Sequence, residues 1–199
     1  MQTEVEVKFL RVDHDAVRGK LQVLGASCTH PNRLMRRTML DDETGSLQKR
    51  KARLRIRDEG DKITVTYKQS QDHTRYHGET ETTIGSYEAM QSLLESLGFR
   101  ALSYQESKRE TWQYADCEIV LDEWPWLDTY IEIEGPSEPA IKQCADALGF
   151  VWEDAEYGSV DAAYRHQYPG MAKGETIGQV ARVCFGDPLP KFLEERQAA

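Results

Sequence analysis

The sequence predicts an α+β protein: a closed or nearly closed eight-stranded antiparallel β-barrel, a tunnel with a charged lumen, and helices packed outside it. Three observations carry this. Eight short segments alternate apolar and polar with period two. Only three segments show the 3.6-residue period of amphipathic helices, each with a capping residue at its start and a glycine at its end. Sorted by face, the strands put their apolar side chains on one side and their charges on the other, and helices can cover only the apolar side.

The elements follow in order. TEVEVKFL (3–10) sets Val5, Val7 and Phe9 against Glu4, Glu6 and Lys8. Asp13 then caps a helix with Val17, Leu21 and Leu24 on one face, stopped at Gly25. RLMRRTML (33–40), RLRIRDEG (53–60), KITVTYKQ (62–69) and HGETETTI (77–84) read as four strands. Ser86 caps a second helix with Met90, Leu93, Leu94 and Leu97, ending at Gly98. KRETWQY (108–114), CEIVLDEW (117–124) and TYIEIEG (129–135) complete the eight. Ser137 caps a third helix with Pro139 in its first turn, then Ile141, Ala145 and Leu148, ending at Gly149. After Tyr168 the chain changes character. PGMAKGETIGQ is turn-rich, TIGQVARVCFG reads as one short helix, and GDPLPKFLEERQAA reads as a loose tail. The predicted division is therefore a tunnel domain over 1–168 and a C-terminal extension over 169–199.

Composition excludes several classes of function. With 39% hydrophobic and 30% charged residues and no apolar run near the ~18 residues of a span, the chain reads as a globule without a membrane partner. The N-terminus lacks the basic-then-apolar layout of a signal peptide. A net charge of −9 argues against general nucleic-acid binding. Cys28, Cys117, Cys144 and Cys184 are scattered with no CxxC pair, which argues against a zinc site or disulfide framework and for a cytoplasmic location. His73 and His77 sit at the entry to a strand, where helical metal-ligand spacing does not converge, and read as loop histidines.

The charged face points to chemistry. In a closed barrel with helices outside, it must line the lumen. It carries eight carboxylates (Glu4, Glu6, Glu79, Glu81, Glu118, Asp122, Glu132, Glu134) and five bases (Lys8, Arg55, Arg57, Lys68, Arg109). An open sheet wetted on one side would explain the alternation equally well, but solvated faces mix in Thr, Ser and Gln. Same-sign neighbours two residues apart repel unless something lies between them. Clustered carboxylates favour hard ions such as Mg²⁺ or Mn²⁺, and Arg and Lys suit phosphate oxygens. Metal and polyphosphate in one cavity is the reading that uses both.

The ordered series Glu4-Val-Glu6-Val-Lys8, Leu54-Arg55-Ile56-Arg57, Thr66-Tyr67-Lys68, Glu79-Thr-Glu81, Arg109-Glu110, Leu121-Asp122-Glu123 and Ile131-Glu132-Ile133-Glu134-Gly135 resembles the CYTH superfamily, the triphosphate tunnel metalloenzymes, over residues 1 to about 165. The resemblance implies divalent-metal-dependent chemistry on triphosphates; activities in the family include inorganic, thiamine and RNA triphosphatases and class IV adenylate cyclases. It implies metal binding by Glu4, Glu6, Asp122, Glu132 and Glu134. Substrate binding falls to Lys8, Arg55, Arg57, Lys68 and Arg109, with Glu4, Glu6, Lys8 and Arg57 as the catalytic set. Glu79 and Glu81 are supporting positions. Arg36, Arg37, Arg53 and Lys108 lie near basic family positions and read rather as solvated strand charges, and Arg165 stands where members carry a C-terminal base. Trp124 and Trp126, flanking Pro125, either stack on a substrate ring or pack a hairpin. The expected partner is a small triphosphate, and a homodimer is compatible with the pattern. The expected activity is hydrolysis of an inorganic or small organic triphosphate with Mg²⁺ or Mn²⁺, with a class IV-like adenylate cyclase and a non-catalytic polyphosphate-binding module as alternatives.

Overall fold

A computed structural model describes residues 2–70 and 77–197. All eight expected strands are present: β1 (Gln2–Leu10), β2 (Ser27–Asp42), β3 (Ala52–Asp58), β4 (Ile63–Ser70), β5 (His77–Ile84), β6 (Phe99–Tyr114), β7 (Cys117–Glu123) and β8 (Tyr130–Gly135). They pair antiparallel in the order β2-β3-β4-β5-β1-β8-β7-β6, and β6 pairs back onto β2, so the sheet closes on itself. The weakest seam lies between β1 and β5, which pair only through Gln2–Glu4 and His77–Glu79. Beyond it, the edge of β1 bonds instead to Glu156, with Lys8 N and O each 2.8 Å from their Glu156 partners. That segment fills the slot a short pairing would leave open.

The three expected helices form where their caps place them. Asp13 accepts from the backbone of Asp15 and Ala16 to start α1 (His14–Val23). A four-residue helix, α2 (Ser46–Lys49), is held by the buried Asp41 carboxylate, which accepts from Leu47 N and Gln48 N. Ser86 caps α3 (Tyr87–Ser96), and Ser137 caps α4 (Glu138–Leu148), which ends at Gly149 with φ 75°. α1 and α4 pack on the outer face through Val17, Leu21, Ile141, Ala145 and Leu148 against Val7, Phe9, Ile119, Leu121, Ile131 and Ile133. α3 covers Leu54, Ile56, Val65 and Tyr67. Both layers use the apolar stripe, leaving the charged stripe inside.

The C-terminal segment departs from expectation. TIGQVARVCFG is not one helix: a single turn at 177–179 leads into β9 (Arg182–Val183), parallel to β6 at Tyr104 and Gln105. The reason is an open edge. β7 pairs only with Lys108–Tyr114 of β6, so the first half of β6 would present unpaired backbone groups, and β9 covers them. Nor is the stretch after it loose as far as residue 197. α5 (Asp161–Gln167), Met171, Ile177, Val183 and Leu193 of α6 (Lys191–Glu194) share one buried cluster with Trp124 and Tyr130, and Arg196 is paired with Glu175. Among the described residues no helix is long and apolar enough to cross a membrane.

Candidate active site

Register sorts the lumen into rows. Arg37 of β2 faces Arg57 of β3, which faces Thr64 of β4; one step on, Arg55 faces Thr66, which faces Glu81 of β5. Arg53 faces Lys68, which faces Glu79. On the other wall Arg109 of β6 faces Asp122, Asp122 faces Tyr130 of β8, and Lys8 of β1 faces Glu132. Contacts between strands that are not neighbours show that these side chains meet inside: Arg109 reaches Glu132 at 2.9 Å, and Lys68 reaches Glu6 at 4.0 Å.

The bases are held by acids. Lys8 is fully buried, 3.2 Å from both Glu6 and Glu132, and it donates to Gly158 O at 2.5 Å. Burial works to lower its pKa, but the pull of Glu132 and Glu6 outweighs it and holds the ammonium above its ordinary value. Arg109 forks onto Asp122 at 2.8 and 2.5 Å, and this pair with Glu132 overcomes burial to keep its pKa well raised. Arg57 is bound by Glu59 at 2.5 Å and lies 3.8 Å from Glu81, yet burial and the neighbouring Arg55 and Arg109 push it down to about 10. Arg55 lies 3.8 Å from Glu81, and Lys68 lies 3.5 Å from Glu79. The supporting positions Glu79 and Glu81 thus stand against bases.

The carboxylates expected to bind metal divide into two groups. Glu132 is opposed by burial, but Lys8 and Arg109 draw its pKa below the usual carboxylate range. Asp122 is wholly buried, with both oxygens engaged by Arg109 and Oδ2 also accepting from the Tyr130 hydroxyl at 3.2 Å. Glu6 and Glu134 face each other across β1 and β8, and Glu134 faces Glu118 of β7, giving three carboxylates on neighbouring strands toward one mouth. The side chain of Glu4 lies outside the described residues, as does His73. Among the described residues no three metal-capable groups converge on a point. The donor set nonetheless fits a hard cation: it is all oxygen, and facing like charges are relieved by an ion between them.

Several inward residues escape sequence reasoning. Arg37 stands in RLMRRTML beside Arg36, and adjacent charges hide which one points in. Arg36 turns outward to Asp58, while Arg37 is buried over the Trp124 ring, 4.4 Å from its centroid, and donates to Ser107. Lys108 faces out to Glu123, and Arg165 points toward Glu175 O rather than the lumen. Glu59, two residues beyond Arg57 and so on the same face, binds Arg57, Arg33 and Lys62, and against burial the charges of Arg57 and Lys62 lower its pKa. Continuing the period-two pattern one step past RLRIR would have found it. Trp124 packs edge-on against Tyr164, and Trp126 donates to Asp187 O while its carbonyl accepts from Gln167 and Tyr168. The two tryptophans build a corner rather than a stacking platform.

The chain matches the family model described as "CYTH domain" over residues 2–163. No curated protein sequence matches it. Among solved structures, a candidate adenylate cyclase from Vibrio parahaemolyticus is similar at TM-score 0.73 and 18% identity, over 80% of this chain and 96% of that one. The PH1012 protein of Pyrococcus horikoshii OT3 is similar at TM-score 0.64 and 23% identity, over 77% and 94%. A Hippeastrum protein, HpAC1, described as a candidate adenylyl cyclase with a dominant triphosphatase activity, is similar at TM-score 0.59 and 21% identity, over 82% and 95%. These likenesses are at the level of the fold.

Proposed function

The chain belongs to the CYTH domain family, and from that premise we propose that it hydrolyses an inorganic or small organic triphosphate with Mg²⁺ or Mn²⁺. One observation carries the choice of hydrolysis. Guanidinium, ammonium, carboxylate and hydroxyl groups dominate the described lumen, with Met35 and Val120 among them; of the two tryptophans that could have stacked on a nucleobase, Trp126 is packed into the corner at 124–126 and the Trp124 ring is covered by the Arg37 guanidinium. A cyclase must also orient a ribose hydroxyl at the α-phosphorus, which calls for base and ribose contacts. A triphosphatase needs the polyphosphate grip alone, and names among the fold's relatives include both activities, so fold does not choose.

In the proposed mechanism Arg55, Arg57, Lys68 and Arg109 hold the phosphoryl oxygens and spread their charge, with Lys8 presented beside them by Glu6 and Glu132. Glu6 and Glu134, with Glu4 from the same strand and Glu132 beside them, would hold the divalent ion. Bound there, the ion neutralises charge on the substrate and acidifies coordinated water. The test is turnover of tripolyphosphate, thiamine triphosphate and ATP with each metal, with products identified. Orthophosphate as the main product is expected. Cyclic AMP and pyrophosphate as the main products from ATP would overturn the proposal in favour of the cyclase, and tight binding without turnover of any of the three would leave a binding module.

A further inference from the structure

We infer that Arg37, Arg57 and Thr64, one row across three adjacent strands, form an additional anion subsite that grips a phosphoryl group of the substrate. The inference rests on the triphosphate reading above and extends it to residues outside the expected set. Among the described residues four buried donors at this level have no hydrogen-bond partner, Arg37 Nε, Arg57 Nε, Thr64 Oγ1 and Trp124 Nε1, while the acceptor left without a well-aligned hydrogen bond there, Glu59 Oε1, already lies 2.5 Å from Arg57 Nη2. Arg37 faces Arg57, and Arg57 faces Thr64, in direct register. Arg37 is 6% exposed, Arg57 8% and Thr64 1%, so bulk solvent does not satisfy them. Folded proteins rarely leave buried donors unpaired, and all four of these atoms can donate. The group that completes them must therefore accept several hydrogen bonds at once.

Charge narrows it further. The guanidinium of Arg37 sits over the Trp124 ring and spends one arm on Ser107, which leaves its Nε without an acceptor among the described residues. Glu59 is committed to Arg57, and Arg37 forms no ion pair among the described residues. Burial, with Arg57, Arg55 and Arg109 nearby, lowers the Arg37 pKa to about 9, so these surroundings disfavour its charge. A water molecule would satisfy a donor and leave this repulsion in place. A phosphoryl oxygen pair does both, because each oxygen carries charge and accepts from more than one donor.

The experiment measures binding of inorganic tripolyphosphate by calorimetry in EDTA, where no metal-dependent turnover intervenes, together with ligand-free melting temperature. The parent, Arg37→Met and Thr64→Val are compared. Arg37→Met should weaken binding about 10- to 100-fold, the loss of a charge-assisted contact. Its ligand-free melting temperature should match or exceed the parent's, since a crowded buried charge is removed. Thr64→Val, which keeps the shape and deletes one hydroxyl, should weaken binding severalfold with no loss of ligand-free stability. Parent binding that survives both substitutions overturns the subsite alone. So does an Arg37→Met protein less stable than the parent without ligand, which would mark Arg37 as structural. A parent that binds no tripolyphosphate in EDTA overturns the subsite, whereas the triphosphate reading falls only if binding is absent with Mg²⁺ or Mn²⁺ as well.

Discussion

Asp122→Asn separates two readings of the same carboxylate. If Asp122 binds metal, it sits among like charges in the ion-free protein, and removing its charge leaves stability level or improves it. The structure gives it a different partner. Arg109 donates Nε to Oδ1 at 2.8 Å and Nη2 to Oδ2 at 2.5 Å, the Tyr130 hydroxyl adds a third bond, and no part of the residue is exposed. Asparagine would keep one acceptor and turn an amide N–H₂ toward the guanidinium, a donor facing a donor. Stripping one partner from a buried pair costs about 3–5 kcal/mol. Arg109 retains Glu132 at 2.9 Å, so the lower end applies, about 3 kcal/mol. For a chain of this size that is a fall in Tm of roughly 6–12 °C. Urea unfolding at neutral pH in EDTA measures it. An Asp122→Asn protein as stable as the parent would refute the reasoning and return Asp122 to the metal set.

Two further outcomes follow from the same pairs. Glu132 has its pKa lowered by Lys8 and Arg109, so its contribution to stability is present above the unfolded carboxylate value of about 4.3 and is lost as pH falls through the lower, folded value; Glu132→Gln should therefore flatten the acid limb of stability below roughly pH 5, and urea midpoints that fall as steeply as the parent's between pH 3 and 5 would contradict it. Glu6→Gln, which removes a charge at the carboxylate-lined mouth, should abolish Mg²⁺- or Mn²⁺-dependent turnover while leaving a cooperative melt; full activity in that variant, or in the parent with EDTA, would remove the metal from the proposal.

How far the sequence could be read depended on how many constraints acted on each residue. Strands such as Val5–Phe9 and Ile131–Ile133 were legible because burial on one face and charge on the other leave a single register. Helix starts were legible because Asp13, Ser86 and Ser137 each satisfy local backbone donors. The segment after Tyr168 was not: its fold is dictated by the open edge of β6 and by the surface around Trp124, neither visible from its own residues. In the lumen the paired motifs gave Arg55, Arg57 and Lys68, whereas Arg37 was masked by its neighbour Arg36 and Glu59 by the turn residues around it. Which acid meets which base was also beyond pattern. Asp122 and Glu132 are alike in sequence terms, and only closure of the barrel places one under the Arg109 fork and the other between Lys8 and Arg109.

These pairings bear on how the lumen accepts a ligand. Lys8 and Arg109 cannot turn fully to a phosphate without loosening Glu132 and Asp122, and an uncompensated buried carboxylate costs several kcal/mol. Phosphate binding at this wall is therefore tied to whatever neutralises those carboxylates, and by linkage the dependence is mutual: a cation at the carboxylates strengthens the phosphate grip, and phosphate strengthens the hold on the cation. The opposite wall behaves differently. Among the described residues Arg37 is ion-paired to no acid, so an anion would gain its contacts there without exposing a stranded carboxylate. The two walls should thus differ in their need for metal, which would reconcile the proposed polyanion substrate with a net charge of −9. The negative charge inside is already matched by bases wherever a phosphate would meet it, and the row at Arg37, Arg57 and Thr64 supplies positive charge in excess.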